Sequence, residues 1–413
     1  MNIYISGISG TGMGPLALMA KQAGFDVCGS DLKEGAIYQE LVSAGIEVEI
    51  GEQDGEFLRK KMNGGVDWFV YTSAIDEDHP ELLLAKKAGI KCTKRDDLTA
   101  FLVDELGLKM VAVAGTHGKT TTTSMIVWTA LKLGLPVSYV VGTTLGFALS
   151  GAYQKGDKYF VYEADEYDKN FLKYHPWLAV ITCVSYDHAD IYPSRADYEK
   201  AFNQFEEQSK IVIKEGLTGE YKLAGEIRRQ DAGLAATAVA KMMEAEKGTY
   251  DFGEIERILS EFPGVGRRFE KITDGVYTDY AHHPEEVKAT VDVALDEVKL
   301  RNKKGVVVVY QPHQNTRQHE VKDGYREAFK GATKIFWLPT YLTRENLDLK
   351  VIKPEEFVVD LVNADVAETA ELDDALANKL HKYVKDGYLV VLMTAGPADG
   401  WLRRCFGEKN IDN

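Results

Sequence analysis

The sequence is poor in cysteine and has no long apolar run. Its 4 cysteines, Cys28, Cys92, Cys183 and Cys405, include no Cys-x-x-Cys pair. This spacing argues against a zinc site or a disulfide framework and is typical of small core residues. No apolar stretch reaches the ~20 residues that a bilayer-spanning helix needs. Because the chain also opens directly into a strand pattern without a basic and apolar leader, we expect a cytoplasmic protein with no membrane partner.

Positive charge is also in short supply. The chain has 49 Lys and Arg against 64 Asp and Glu, which gives a net charge of −15 at pH 7. A nucleic-acid-binding protein normally shows a basic face, so this balance argues against a nucleic-acid partner. A hydrophobic content of 45% and 413 residues indicate a globular protein of several domains, since one core rarely exceeds about 250–300 residues.

Strand and helix patterns alternate along the chain, which predicts an α/β fold with parallel sheets flanked by helices. Near the start, a strand over 3–6 leads into a glycine-rich turn over 7–13, a helix, and a second strand that ends at Asp31. This order is typical of a nucleotide-binding βαβ unit. A linker with a proline and two glycines follows at 261–266. We therefore predict domains over 1–108, 109–262 and 263–413.

The most informative motif is a phosphate-binding loop. An apolar strand pattern over 110–114 breaks into Gly-Thr-His-Gly-Lys-Thr at 115–120. Glycines let the main chain approach phosphate oxygens, Lys119 adds a positive charge, and the Thr120 hydroxyl can bind Mg²⁺. A glycine turn with a surface lysine is the alternative, but the flanking strand and helix patterns favour an ATP site. We expect Lys119 to face solvent, so that its replacement by alanine changes stability by no more than ~0.5 kcal/mol.

Two polar segments follow the next strand patterns. Glu163, Asp165 and Glu166 come directly after one strand, and Asp187 and His188 come after the next. Ligands of doubly wound sheets gather at the carboxyl ends of strands. If the strand continued beyond 163, alternation would place Glu163 and Asp165 on one side and Glu166 on the other. Beside an ATP loop we interpret the acidic segment as a Mg²⁺ site rather than a solvated loop, while His188 could equally be a ligand or a structural residue.

The third segment has its own polar cluster after a strand pattern, at 279–284. Pro284 and the two acidic residues after it predict a helix start there. Adjacent histidines point apart on a strand, so His282 and His283 could share a metal ion only in a turn. Arg267 and Arg268 follow the linker, where an arginine can reach a phosphate. Surface pairing with acidic groups is the alternative, above all for Arg267.

Together these motifs resemble the Mur ligase family, the ATP-dependent enzymes that add amino acids to the peptidoglycan precursor. The order and spacing of the motifs carry the resemblance, which covers nearly the whole chain: 7–13, 72–75, 115–122, 163–166, 187–188, 262–269, 279–284 and 311–313. It implies three domains: a Rossmann-like N-terminal domain for the UDP-sugar, a central P-loop ATPase domain and a Rossmann-like C-terminal domain for the amino acid. The first turn departs from the Gly-x-Gly-x-x-Gly of nicotinamide enzymes, which makes an oxidoreductase the weaker interpretation.

The resemblance also implies roles for single residues. ATP would be held by Gly115, Thr116, Gly118, Lys119, Thr120, Thr121, Arg268 and Asp279. Mg²⁺ would be held by Thr120, Glu163 and His188. The substrates would be bound by Gly10, Thr11, Gly12, Met13, Asp31, Ser73, Tyr280, His282 and Arg317. The catalytic residues would be Lys119, Glu163, His188 and His282.

Within the family the motifs are most similar to the branch that ligates L-alanine to UDP-N-acetylmuramate through an acyl phosphate. That branch usually has Arg-Tyr-Thr-Arg after Gln-Pro-His, whereas this chain has Gln314, Asn315, Thr316 and Arg317. Arg317 would then bind the substrate carboxylate alone. The residues at 166–168, at 187–191 and at 315–316 are more similar to those of the related branch that ligates a whole tripeptide, which stays the alternative.

Two further differences concern the central domain. The adenine motif of the family, Gly-x-His-Asn-x-x-Asn-Ala, is replaced at 225–232, and Phe202 stands where several relatives carry a carbamylated lysine. A nucleotide-binding regulatory protein with a P-loop is the alternative of a different class, and such a protein would hydrolyse ATP slowly without the other substrates. The oligomeric state, monomer or homodimer, stays open.

Overall fold

The protein is described here by a computed structural model that covers residues 1–72, 74–188, 191–343 and 345–407. The chain forms two compact units. The first unit joins Met1–Tyr221 to Gln230–Pro263, and the second joins Lys222–Arg229 to the chain from Gly264 onwards. The first unit carries two sheets and the second carries one, which confirms the α/β class. The boundary expected between 108 and 109 lies inside the first unit and stays a prediction.

The N-terminal sheet has five parallel strands, and helices follow each of them. The strands are β1 (Asn2–Ser6), β2 (Asp26–Asp31), β3 (Glu47–Ile50), β4 (Trp68–Tyr71) and β5 (Lys91–Lys94), and the helices are α1 (Gly14–Gln22), α2 (Tyr38–Ser43), α3 (Glu56–Met62), α4 (Pro80–Lys87) and α5 (Arg95–Glu105). The strand order is β3-β2-β1-β4-β5. The chain reverses its direction of winding next to β1, and the crevice at such a reversal is where doubly wound sheets bind ligands.

The central sheet has six strands in the order β11-β10-β6-β9-β7-β8, of which only the short β8 is antiparallel. The strands are β6 (Lys109–Ala114), β7 (Val137–Val140), β8 (Gly151–Ala152), β9 (Tyr159–Glu163), β10 (Leu178–Ile181) and β11 (Val212–Ile213), and the helices are α6 (Lys119–Lys132), α7 (Arg195–Glu207), α8 (Glu226–Lys247), α9 (Phe252–Ser260) and a short 3₁₀ helix at Tyr167–Lys173. Because β6 lies between β9 and β10, the segments that follow these three strands meet at one edge of the sheet.

The third sheet has six strands in the order β12-β13-β17-β14-β15-β16, with β12 antiparallel to β13. The strands are β12 (Glu270–Thr273), β13 (Val276–Asp279), β14 (Val306–Gln311), β15 (Lys334–Trp337), β16 (Ala367–Thr369) and β17 (Leu389–Thr394), and the helices are α10 (Pro284–Leu300), α11 (Asn315–Val321), α12 (Pro354–Val358), α13 (Asp374–Lys385), α14 (Ala398–Phe406) and short 3₁₀ helices at Lys322–Glu327 and Ala364–Val366. The buried β14 and β17 are near-continuous apolar runs, as expected for parallel strands covered on both faces.

The two sheets of the first unit share one apolar core. A single cluster of buried side chains runs from Ile3 in β1 to Phe205 in α7. Polar contacts add to it, since Glu40 accepts hydrogen bonds of 2.7 Å from both the amide and the hydroxyl of Ser150. A Cβ on Gly151 would lie 1.9 Å from the carbonyl oxygen of Pro15, so only glycine fits there. In the part of the chain that the structure covers, no helix has both the length and the apolar character to cross a membrane.

Candidate active site

The phosphate loop is built on two glycines that no other residue could replace without strain. Gly115 and Gly118 have φ angles of +140° and +82°, which L side chains rarely adopt. A Cβ on Gly115 would lie 2.1 Å from the hydroxyl of Thr182, and a Cβ on Gly118 would lie 2.7 Å from a carboxylate oxygen of Asp231. Helix α6 begins at Lys119, directly after the second glycine. The local sequence therefore produces the strand, turn and helix start that bring backbone amides towards a phosphate.

Lys119 is buried against a carboxylate rather than exposed. Its Nζ donates to the two carboxylate oxygens of Glu166 at 2.9 and 3.0 Å and to the carbonyl oxygen of Gly115 at 2.6 Å. The exposed fraction is 19% for the Lys119 side chain and 1% for that of Glu166. Burial alone would lower the pKa of Lys119 and raise that of Glu166, but their mutual attraction outweighs it and moves each pKa the other way. The expectation that Lys119 faces solvent is wrong.

Thr120 and Glu163 form a second pair beside the loop. The Thr120 hydroxyl donates to a carboxylate oxygen of Glu163 at 2.7 Å, and the other oxygen accepts from the amide of Gly142, also at 2.7 Å. Strand β9 ends at Glu163, so the side-to-side alternation considered for residues 163–166 does not apply. Asp165 instead lies 4.0 Å from the guanidinium of Arg95. The structure therefore brings two of the three residues expected to hold Mg²⁺ together.

His188 lies with Glu166 rather than with Glu163. Its Nε2 is 3.5 Å from a carboxylate oxygen of Glu166 and 3.8 Å from one of Asp187, and its ring packs edge-on against Tyr167. Burial alone would lower the pKa of His188, but the hydrogen bond to Glu166 and the charge of Asp187 raise it overall. The backbone of His188 has a φ of +59°, in the left-handed region that is uncommon for residues other than glycine. Its role as a metal ligand stays a prediction.

Two further loop residues expected to hold ATP, Thr116 and Thr121, differ in exposure. Thr116 is buried, and its hydroxyl donates to the carbonyl oxygen of Ser185 at 2.7 Å and lies 2.9 Å from the hydroxyl of Tyr198. This side chain thus ties the loop to the segment after β10. Thr121 lies in the first turn of α6 and is partly exposed.

Two buried carboxylates at the loop were not among the predicted site residues. Glu166 belongs to the acidic segment after β9, and the density of negative charge in that segment is the signal that the sequence offers for it. Asp231, on α8, is 6% exposed and accepts a hydrogen bond of 3.1 Å from the hydroxyl of Thr122. It belongs to the stretch 225–232 that replaces the adenine motif. More than a hundred residues separate the two partners, so no local pattern could have found the contact.

The glycine turn after β1 lies beside the end of β2, as the βαβ interpretation expects. Asp31 accepts a hydrogen bond of 2.8 Å from the amide of Ser9, and the amide of Met13 donates to the carbonyl oxygen of Gly10 at 3.1 Å. A Cβ on Gly12 would lie 2.7 Å from the guanidinium of Arg95. Thr11 belongs to the same exposed turn. Ser73, the remaining candidate for this site, lies outside the described residues.

In the second unit, Asp279 ends β13 and is fully engaged by backbone amides. It accepts from the amide of Phe269 at 2.6 Å and from that of Ala281 at 2.8 Å. Burial raises the pKa of Asp279, and the nearby guanidinium of Arg268 opposes this. Arg267 donates to the carbonyl oxygen of Thr394 at 2.7 Å, so surface pairing with acidic side chains does not describe it.

Tyr280, His282 and Arg317 lie in one cluster of this unit. The guanidinium of Arg268 lies 5.1 Å from the ring centre of Tyr280, and that ring lies 5.4 Å from the ring of His282. Burial lowers the pKa of His282, and the guanidinium of Arg317, on α11, lowers it further. The side chains of His282 and Arg317 are therefore within electrostatic reach of each other. The structure thus groups the three residues expected to bind the amino acid.

Helix α11 is held in place by a carboxylate outside it. Glu345 accepts from the amides of Asn315 and Thr316 at 3.0 and 3.1 Å, which satisfies the exposed donors of the first turn. Gln314, directly before the helix, has a φ of +61°. This anchoring fixes the start of the short helix that carries Arg317. Sequence reasoning missed Glu345, whose position in a loop far along the chain gave no signal.

Comparisons with known proteins agree with this fold of the doubly wound α/β class. Residues 2–105 match the model "Mur ligase family, catalytic domain", and residues 113–217 match "Mur ligase middle domain". The curated UDP-N-acetylmuramate–L-alanine ligase of Carboxydothermus hydrogenoformans is 32% identical to this chain, with 95% of this chain and 94% of the relative covered. The chain belongs to the Mur ligase family.

Two solved structures have the same fold. The UDP-N-acetylmuramate-alanine ligase of Thermotoga maritima superposes with a TM-score of 0.77 at 23% identity, and 98% of each chain is covered. The murein peptide ligase of Psychrobacter arcticus superposes with a TM-score of 0.63 at 22% identity, and 99% of each chain is covered. These matches confirm the three-domain architecture expected from the motifs.

Proposed function

We propose that this protein ligates L-alanine to UDP-N-acetylmuramate at the expense of ATP, through an acyl phosphate. Two relatives named UDP-N-acetylmuramate–L-alanine ligase are 30% and 32% identical to this chain over 87% and 95% of its length. The observation that carries the proposal is the phosphate loop itself, because Lys119 and Thr120 each engage a carboxylate that follows the adjacent strand. This arrangement supports phosphoryl transfer, because it places a lysine and the expected metal-binding groups at one phosphate site.

The chemistry requires an activated carboxyl group, because a carboxylate is a poor acyl donor. The lactyl carboxylate attacks the γ-phosphorus of ATP, ADP leaves, and an acyl phosphate results. Lys119 neutralises charge on the transferred phosphoryl group, and the carbonyl oxygen of Gly115 and the carboxylate of Glu166 hold its ammonium in place. The amine of L-alanine then attacks the acyl carbon, and phosphate leaves.

The residues at the loop fit Mg²⁺. A hydroxyl and a carboxylate 2.7 Å apart, from Thr120 and Glu163, are hard oxygen donors of the kind this ion prefers. His188 would complete the set from the segment after β10. Bound there, Mg²⁺ would neutralise negative charge on the phosphate oxygens.

The substrates would be held by groups in both units. In the first unit, the turn 10–13 and Asp31 would bind the UDP-sugar, since the turn opens a helix whose first amides favour an anion. In the second unit, Arg317 would pair with the carboxylate of L-alanine, because a guanidinium matches a carboxylate in shape and charge. A location in the cytoplasm remains a prediction, and the choice between monomer and homodimer stays open.

A panel of acceptors tests this function. ATP and UDP-N-acetylmuramate would be incubated with L-alanine, glycine, L-serine or the tripeptide L-Ala-γ-D-Glu-diaminopimelate, and ADP formation would be followed. We expect ADP only when UDP-N-acetylmuramate and L-alanine are both present. Turnover with the tripeptide but not with L-alanine would show the recycling activity instead. Slow ATP hydrolysis that is indifferent to both substrates would indicate a regulatory protein.

A further inference from the structure

The backbone of His282 is fixed by hydrogen bonds at both its carbonyl oxygen and its amide. Its carbonyl oxygen accepts hydrogen bonds from the hydroxyls of Tyr310 at 3.1 Å and Tyr325 at 3.2 Å, which are themselves 2.6 Å apart. Its amide donates to a carboxylate oxygen of Glu286 at 3.0 Å, and the amide of His283 donates to the same oxygen at 3.2 Å. The backbone at His282 therefore has one well-defined position.

The imidazole ring is oriented as well. Its Nδ1 lies 3.1 Å from the carbonyl oxygen of Tyr280 and 3.2 Å from a carboxylate oxygen of Glu286. A carbonyl oxygen can only accept, so the hydrogen of the neutral ring is on Nδ1 and Nε2 carries a lone pair. Within the described ranges, no hydrogen bond to Nε2 is formed. The side chain is 17% exposed, which leaves the ring within reach of a ligand.

Burial is the main reason why the pKa of His282 lies below its ordinary value. Burial lowers the pKa of His282, the carboxylate of Glu286 raises it, and the guanidinium groups of Arg317 and Arg268 lower it further. The ring of Tyr280, in the same segment, lies 5.4 Å from the ring of His282, and the ring of His313, in the segment after β14, lies 5.7 Å from it. At neutral pH the imidazole is thus a base with a free nitrogen. Arg317, the proposed partner of the amino-acid carboxylate, is one of its charged neighbours.

We propose that Nε2 of His282 takes the proton from the attacking amine, and that Glu286 is the positioning residue that holds the ring in the reactive tautomer. This rests on the proposed function, which supplies an amino acid and an acyl phosphate. Carboxylate and amine are separated by one carbon in an α-amino acid. A carboxylate on Arg317 therefore brings the amine close to groups that neighbour the guanidinium, and His282 is one of them.

The step balances without another reactant. The lone pair of the amine forms the C–N bond, and the C–O bond to phosphate breaks with its electron pair on the leaving phosphate. The proton that the nitrogen must lose goes to Nε2 of His282. The hydrogen on Nδ1 stays between Tyr280 and Glu286, and their negative oxygens stabilise the imidazolium until it releases its proton to solvent.

A nucleophile that needs no base tests the role of His282. Hydroxylamine is largely unprotonated at neutral pH and converts an acyl phosphate to a hydroxamate. The variant His282→Asn should lower kcat with saturating L-alanine by at least about a hundredfold, the usual size of a general-base contribution. Hydroxamate formation should stay near the wild-type rate. Equal loss with both nucleophiles, or full activity with L-alanine, would overturn the role. Wild-type protein that forms neither product would overturn the proposed function itself.

The pH profile tests Glu286. Its carboxylate raises the pKa of His282, so Glu286→Gln should shift the acid limb of kcat to lower pH and should reduce the plateau. The glutamine oxygen can still accept from the two backbone amides, which preserves the loop. Asp292→Asn is the matched control, since it removes the same charge from an exposed position further along the same helix. An acid limb at the same pH in both variants would reduce Glu286 to a structural residue.

Discussion

The ion pair of Lys119 and Glu166 predicts that the loss of Lys119 destabilises the protein, whereas the sequence alone predicts almost no change in stability. In Lys119→Ala, the carboxylate of Glu166, which is 1% exposed in the wild type, loses the ammonium group 2.9 Å away. Its remaining cationic neighbour is His188, with Nε2 at 3.5 Å. Removing one partner of a buried ion pair typically costs about 3–5 kcal/mol, because the other charge stays desolvated. Protonation of His188 can offset part of this, so we expect a loss of about 2–4 kcal/mol.

Urea denaturation of the wild type and three variants measures this loss. The variants are Lys119→Ala, Glu166→Gln and the double variant, which together form a thermodynamic cycle. The double variant should recover most of the stability that Lys119→Ala loses, because a neutral amide is far less costly to bury than a lone carboxylate. Ligation activity should be absent in both variants without Lys119. A free energy of unfolding within ~0.5 kcal/mol of the wild type for Lys119→Ala would show a solvent-facing lysine and refute the argument.

Three further predictions concern the other groups of the site. Glu163→Gln and His188→Asn should each raise the Mg²⁺ concentration for half-maximal rate, and an unchanged Mg²⁺ dependence in both would make them structural residues. Arg317→Ala should raise KM for L-alanine about tenfold or more, since a charge-assisted hydrogen bond contributes about 1.5–3 kcal/mol. KM for ATP should hardly change, and Gln314→Arg should leave the use of L-alanine intact; an unchanged KM for L-alanine in Arg317→Ala would remove that residue from the pocket. Gly118→Ala should destabilise the protein by about 1–2 kcal/mol, because the positive φ of this residue is unfavourable for alanine. Thermal unfolding measures the effect, and an unchanged melting temperature would show that the loop tolerates a side chain at this position.

Sequence reasoning located apolar strands well. The strands predicted over 3–6 and 110–114 are β1 and β6, and the structure confirms both within a residue. The edge strands β3, β12 and β16 were missed because they are short and carry charged or polar residues, and β8 was missed because it has only 2 residues. Their pairing depends on a neighbouring strand rather than on their own composition.

Part of the site could also be predicted from the sequence. The proximity of Lys119, Thr120 and Glu163 follows from the strand pattern, because the carboxyl ends of neighbouring parallel strands share an edge. The partner of Lys119 could not be predicted, since Glu166 lies in irregular backbone between the end of β9 and the 3₁₀ helix, where no strand alternation fixes the direction of a side chain. The hydrogen-bond geometry that orients His282 likewise requires side-chain positions, which no spacing in the sequence provides.

The origin of one oxygen atom in the released phosphate tests the central claim most directly. UDP-N-acetylmuramate with a heavy-oxygen label in its lactyl carboxylate would be incubated with ATP, L-alanine and the protein, and the phosphate would be analysed by mass spectrometry. Ligation through an acyl phosphate transfers one carboxylate oxygen to phosphorus, so labelled phosphate should appear in step with the alanyl product. Unlabelled phosphate, or phosphate released without L-alanine at the same rate, would contradict the proposed ligation.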